Sequence, residues 1–187
     1  MLTVASAANA DSKITLGLPN FGGNGCPQNT ASATLSPDAQ QLSILFDQYT
    51  VEAMGATTVA RKSCNIAIPI HVPNGLSLSI FQVDYRGYNS LPEGASSVLS
   101  AEYFFANMQG PKVARTFVGE ADDDYYVSDK LLAAAVVWSA CGQDVNLRIN
   151  SSMRVKTNSW GEQALSTVDS IDLSSGMIYH FQFRKCR

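Results

Sequence analysis

Apolar side chains recur at every second position along most of this chain, and that period belongs to the β-strand, where residues two apart share a face. The longest run places Cys64, Ile66, Ile68, Ile70 and Val72 on one face. Pro73-Asn74-Gly75 follows as a turn, and Leu76, Leu78 and Ile80 return. In the returning segment the apolar phase shifts to Phe81, Val83 and Tyr85, as one extra residue at a β-bulge would make it do. Pro69 has no N–H to give to a ladder, which predicts an edge position or a bulge. Shorter alternations precede this hairpin at Ile14 to Leu18, Ala31 to Leu35 and Leu42 to Phe46, the last two joined by the turn Ser36-Pro37-Asp38-Ala39. Others follow at Leu99 to Phe105, Val113 to Val118, Val145 to Ile149, Met153 and Val155, Val168 to Leu173, and Met177 to Phe183. Ser174-Ser175-Gly176 is the expected last hairpin turn. The nearly continuous apolar run Leu131 to Trp138 reads as a buried strand, because Val136, Val137 and Trp138 favour β structure and Cys141-Gly142 ends it. About ten short strands at this spacing predict an all-β, antiparallel β-sandwich. It is expected to occupy residues 13–187 as a single domain behind a flexible N-terminal segment, residues 1–12.

Four cysteines, Cys26, Cys64, Cys141 and Cys186, lie at the edges of β-patterned segments. Their wide spacing does not suit a metal site, and their even number in a β-rich chain points to two disulfides and an oxidising compartment. Four cysteines allow three pairings. Locality favours Cys26–Cys64 and Cys141–Cys186, each closing a loop of about forty residues and stabilising by about 3–4 kcal/mol. Hydrophobic residues make up 45% of the 187-residue chain, enough for a core that the disulfides reinforce and do not replace. Charged residues make up only 16% and the net charge is -3, so the overall balance gives no reason to expect nucleic acid or an anionic membrane as partner. No apolar run approaches the roughly 20 residues of a spanning helix. The first ten residues lack the basic and apolar regions of a signal peptide and read as a trimmed terminus behind an added methionine. Asn150-Ser151-Ser152 is a sequon for N-glycosylation.

Several stretches taken together carry a family resemblance. They are Phe21-Gly22-Gly23-Asn24-Gly25-Cys26-Pro27, Arg61-Lys62-Ser63-Cys64, Val83-Asp84-Tyr85-Arg86-Gly87-Tyr88, Trp138-Ser139-Ala140-Cys141-Gly142, Asn150-Ser151 and Tyr179-His180-Phe181-Gln182-Phe183-Arg184-Lys185-Cys186. Across nearly its whole length the chain resembles the "domain of unknown function" family numbered 4360, secreted proteins found largely in fungi and also in bacteria. The resemblance implies secretion and the four-cysteine framework, and it brings no catalytic residues with it.

The residues themselves offer little catalytic chemistry. A Ser–His–Asp triad needs a histidine, and His71 and His180 both sit on expected strands between apolar neighbours, with no G-x-S-x-G elbow. Cysteines held in disulfides are not nucleophiles, so the chain reads as a non-enzyme without cofactor. Glu120, Asp122, Asp123, Asp124 and Asp129 form the densest acidic stretch; it reads as a solvated loop, with calcium binding the sharper alternative and glycosidase use of two of its carboxylates a remoter one. Tyr125, Tyr126 and Trp160, expected in exposed polar loops, are candidate contacts for a sugar or a protein. Gly22, Gly23 and Asn24 lack the lysine of a phosphate loop and form either a turn beside a disulfide or a slim loop able to wedge into a partner's cleft. The expected function is secreted, non-catalytic binding of an extracellular host protein in the manner of an effector, with inhibition of a papain-like cysteine protease as its sharpest form. A cell-wall or carbohydrate-binding role is the alternative, with polysaccharide as partner.

Overall fold

The structure, a computed structural model, describes residues 13–105, 110–133, 136–169 and 176–186. Thirteen strands and no α-helix occur among the described residues: β1 (Thr15–Leu16), β2 (Asn20–Gly22), β3 (Ala31–Leu35), β4 (Gln41–Phe46), β5 (Thr50–Ala53), β6 (Val59–His71), β7 (Leu76–Leu91), β8 (Ser96–Phe105), β9 (Lys112–Val118), β10 (Ala121–Lys130), β11 (Val145–Lys156), β12 (Ala164–Thr167) and β13 (Met177–Lys185). They form two antiparallel sheets. One runs β1-β6-β11-β8-β9 with β2 also on β6; the other runs β3-β4-β13-β7-β12-β5 with β10 also on β7. The all-β sandwich expected from the alternation is the fold observed, with more strands than the ten the sequence suggested. The expected segment 1–12, Ile171, Leu173 and the turn residues Ser174 and Ser175 lie outside the described residues.

The core is the sum of the alternating faces. Ile66, Ile68 and Ile70 of β6, Leu147, Ile149 and Met153 of β11, and Leu99 and Tyr103 of β8 face Leu42 and Ile44 of β4, Val83 and Tyr85 of β7, and Met177 and Tyr179 of β13. Each such side chain contributes about 1.5–3 kcal/mol by leaving water. The Tyr103 and Tyr179 rings meet edge-on between the sheets, centroids 5.6 Å apart.

The bulge is where the pattern asked for it. The register of β13 on β7 passes from Gln82 to Ile80 between His180 and Phe181, leaving Phe81 as the extra residue. Ile80, Val83 and Tyr85 are therefore all buried, while Phe81 itself, expected in phase with Val83, turns outward at 37% exposure. Pro69 sits at neither an edge strand nor a bulge: β6 is flanked on both sides and its register with β11 runs unbroken through Pro69. The Pro69 carbonyl accepts from Gly17 N at 2.8 Å, so its ring nitrogen faces the same outer side, where the chain crosses from β1 to β2 and no ladder needs a donor.

Two further local expectations fail. Leu131 to Trp138 does not form a strand: among its described residues only Trp138 makes a bridge, to Ser79. A run without alternation needs cover on both faces to form a strand, and here Leu132 is exposed and Val136 to Trp138 are only half-buried. The end of the run lies against β7, with Ser79 Oγ donating to Val137 O at 2.7 Å and Ser139 N to Leu78 O at 2.8 Å. The acidic stretch, expected as a loop, is strand β10, paired with β7 from Ala121↔Leu91 to Lys130↔Gln82.

Cys26 pairs with Cys64 and Cys141 with Cys186, Cα separations 5.3 and 6.0 Å, as locality favoured. The first bridge holds the turn after β2 against β6. The second joins the segment before β11 to the end of β13.

Candidate functional site

Because the even-numbered residues of β6 fill the core, its odd-numbered residues form the outer face of the six-stranded sheet, and register assembles this face into rows. One row reads Gly22 (β2), Asn65 (β6), Asn150 (β11), Glu102 (β8) and Lys112 (β9). The next reads Asn20, Ala67, Arg148 and Phe104; on the other side come Ser63, Ser152, Ser100 and Ala114, then Arg61 beside Arg154. Small residues in the rows leave depressions between larger ones. An open groove of about 700 Å³ is lined by Leu18, Asn20, Asn65, Phe104, Asn146, Arg148 and Asn150 among others. A second, about 480 Å³, shares Asn65 and Asn150 with it and extends along Arg61, Ser63, Ser100, Ser152 and Lys112.

Much of the polar capacity of this face is unspent. Asn146 Oδ1 is buried at the groove with no hydrogen-bond partner among the described residues. Glu102 and Lys112 make an ion pair at 3.6 Å, whereas Arg61, Arg148, Arg154 and Lys156 have no carboxylate partner among the described residues. Asn150, the sequon residue, is exposed in mid-groove, so a glycan attached there would fill the site.

Of the residues singled out in the sequence, Gly22 lines the groove. Gly23, at φ +115°, packs so closely on Ser63 that a side chain would meet the Ser63 carbonyl. Asn24 Oδ1 accepts from Ser63 N at 2.8 Å, its Nδ2 donates to Arg61 O at 3.4 Å, and Gly25 N donates to Ser63 O at 2.8 Å. The loop is thus laid along β6 as a margin of the face.

Trp160 stands apart from the groove but at the same end of the sheet as Lys156. Asn158 is buried beneath it and orders its loop: Oδ1 accepts from Trp160 N and Glu162 N, both at 3.2 Å, and Nδ2 donates to Glu93 O at 2.9 Å. The indole is left 75% exposed. Tyr125 and Tyr126 lie in the other sheet, and the expectation that both are exposed holds for one. Tyr126 is 58% exposed beside the Arg86 guanidinium, 5.4 Å from its ring centroid. Tyr125 is on the core phase of β10, its ring 4.5 Å from Phe117 and its hydroxyl donating to Thr167 O at 2.8 Å. Strand alternation separates these two neighbours. Asn65, Asn146, Arg148, Arg61 and Arg154 carry no binding motif in the sequence, and Asn150 only its sequon; their signal is the polar phase opposite the apolar one on β6 and β11, which Asn20 of β2 joins by register.

The remaining chemistry is paired within the seven-stranded sheet or on its own loop. His180 Nε2 lies 2.7 Å from Asp84 Oδ2, and Gln82 Nε2 donates to the other oxygen at 2.9 Å. Burial raises the Asp84 pKa, but hydrogen bonds from Ser128, Gln82, His180 and Tyr126 together outweigh it and hold the carboxyl below its ordinary value. Asp84 stands between Ser128 and His180, an order that leaves the histidine no serine to activate. His71 Nδ1 contacts Asp144 at 2.7 Å on the surface. Alternation also sends consecutive aspartates of β10 to opposite faces; Asp122 accepts from the Tyr88 hydroxyl at 2.5 Å. No three His, Cys, Asp or Glu side chains converge on a cation site among the described residues.

Comparison with known proteins places this site in context. The family described as "Domain of unknown function (DUF4360)" matches residues 12–186. The chain belongs to that family. A relative from Arthroderma benhamiae, described as an uncharacterized secreted protein, is 35% identical over 169 residues, which are 89% of this chain and 69% of the relative. The chain, with its two disulfides, is that of a secreted protein. Among solved structures, TmCBM61 in complex with β-1,4-galactotriose is similar at a TM-score of 0.30 and 10% identity, over 90% of this chain and 88% of that one. The enzymatically active domain of bacteriophage CBA120 tailspike protein 4 follows at a TM-score of 0.25 and 9% identity, over 90% of this chain and 19% of that one. Likeness at this level carries no functional argument.

Proposed function

We propose that this secreted protein is a non-catalytic polysaccharide-binding protein whose ligand lies along the groove across β6, β11 and β8. The observation that carries the reading is the cluster of amide side chains, Asn20, Asn65, Asn146 and Asn150, gathered around Arg148 and Phe104 on one open groove. A sugar hydroxyl both donates and accepts, and a carboxamide offers one group of each kind in a plane. Phe104 supplies an apolar surface for the C–H side of a sugar ring. The groove volume is in the range of sites that hold small organic ligands, about 300–1,000 Å³. Strands hold the side chains in place, so little ordering entropy opposes binding.

The protease-blocking alternative would use the Gly22–Asn24 loop as a wedge. That loop is tied to Ser63 and Arg61 along the sheet, which suits a groove margin better than a projecting wedge, and the polysaccharide reading takes precedence.

Affinity electrophoresis in gels containing soluble polysaccharides, neutral and charged, tests the proposal. Retardation by at least one of them is expected. Asn65→Ala with Asn150→Ala should weaken it about tenfold, since each lost hydrogen bond is worth about 0.5–1.5 kcal/mol. Unretarded migration in every gel, or retardation indifferent to the double substitution, would refute the groove. A one-to-one inhibited complex with a papain-like protease would restore the alternative.

A further inference from the structure

We infer that the polysaccharide held on this face carries carboxylates, a polyuronate, and that Arg61, Arg154, Lys156 and Arg148 read its charge; this rests on the groove reading above. Arg61 and Arg154 are directly opposite each other in the register of β6 and β11. Lys156 is two residues further on the same face of β11, and Arg148 lies six residues back, about 20 Å away at ~3.3 Å per residue. Like charges directly opposite each other on a sheet repel and cost stability. None of these four cations has a carboxylate partner among the described residues. Glu102, the carboxylate of this face, is instead engaged by Lys112. The result is a basic strip in a protein whose net charge is -3.

A neutral glycan gives such a strip nothing to do, and the Arg61–Arg154 repulsion would then be a cost without return. An anionic chain relieves it. The arginine fork matches the two oxygens of a planar carboxylate. Asn150, Ser152, Asn65 and Ser63 lie between Arg148 and the Arg61–Arg154 pair. These neutral side chains are donors and acceptors for the ring hydroxyls between the carboxylates that the arginines engage. Nucleic acid would call for several stacking aromatics, and the groove offers Phe104.

The test is retention of the full chain on polygalacturonate and alginate, against neutral galactan and glucan, dextran sulfate, DNA and phosphatidylserine vesicles. Retention by the polyuronates, falling as salt is raised, is expected. Arg61→Glu with Arg154→Glu should lower it on the order of tenfold to a hundredfold. Arg61→Glu alone is the sharper variant: it places a carboxylate opposite Arg154, so the protein should melt no lower than wild type while retention falls. A merely structural arginine would not move the two readouts in opposite directions. Equal retention by neutral polysaccharides, untouched by either variant, would overturn the charge assignment and leave the groove standing. Retention by dextran sulfate, DNA or vesicles without the polyuronates would overturn the carboxylate assignment. Retention by nothing would overturn the groove reading as well.

Discussion

The outer faces of the two sheets share an architecture and differ in how they treat charge. On the seven-stranded sheet, Asp84 is held by His180 and Gln82, the Arg86 guanidinium lies by the Tyr126 ring, and the Arg184 guanidinium stands 4.2 Å from the centre of the Trp138 ring. On the six-stranded sheet, Arg61 faces Arg154 across the ladder and an amide oxygen of Asn146 is buried unpaired. These charges of the first, closed face have partners within the fold; Arg61, Arg154 and Asn146 Oδ1 of the second, open face have none among the described residues. A polar group that could pair but does not is the more informative of the two, because folding alone gives no reason to keep it.

The comparison can be broken first at the margin of the open face. Replacing Cys26 and Cys64 together by Ala should cost about 3–4 kcal/mol in a denaturant titration, since the bridge closes a separation of 38 residues. Polysaccharide retention should fall with it, because the β2 turn borders the groove. Full retention in the reduced-loop variant would show that the margin is not part of the site.

The closed face should respond in stability alone. Asp84→Asn removes a buried carboxylate and is expected to cost about 1–3 kcal/mol, with retention unchanged. The pH dependence has a definite sign. The folded Asp84 pKa is depressed, so its contribution is fully present above the unfolded value of 3.8 and is lost as pH falls through the folded value. The substitution should therefore flatten the acid limb of melting temperature against pH below about 4. An unchanged acid limb would place the stabilising carboxylate elsewhere.

Two smaller effects sharpen the contrast. Glu102→Gln frees Lys112 from its exposed ion pair and should raise polyuronate retention about two- to fivefold, the scale of such a pair; a fall would assign Glu102 to the ligand. Tyr126→Ala, on the closed face, removes a hydrogen bond to Asp84 and should cost about 0.5–1.5 kcal/mol while leaving retention alone. If retention drops instead, the binding surface includes the seven-stranded sheet.

Much of the fold was legible because strand alternation is a local property. The Cys64–Val72 run, the turn at Asn74-Gly75 and the compensating bulge near Phe81 were read from neighbours in sequence and recur in the structure. The segment from Leu131 to Trp138 lacks alternation, and composition alone does not say whether such a run enters a ladder. Tyr125 and Tyr126 look alike in the sequence because they are adjacent, yet adjacency on a strand sends one inward and one outward. The glycine-rich loop was correctly placed beside a disulfide; its attachment to Ser63 depends on the register of β6 and could not be inferred.

By itself, the sequence determined the class of this protein: β strands from the two-residue period and an oxidising compartment from four cysteines, whose pairing locality favoured and the structure decided. It also determined which side of each strand is polar. Only the tertiary structure decided which polar sides lie together. Asn65, Arg61, Asn150, Arg154 and Phe104 come from strands up to about ninety residues apart, and antiparallel register, fixed by burial of the opposite apolar faces, brings them to one surface. Their meaning as a site arises from that juxtaposition, which no local pattern encodes.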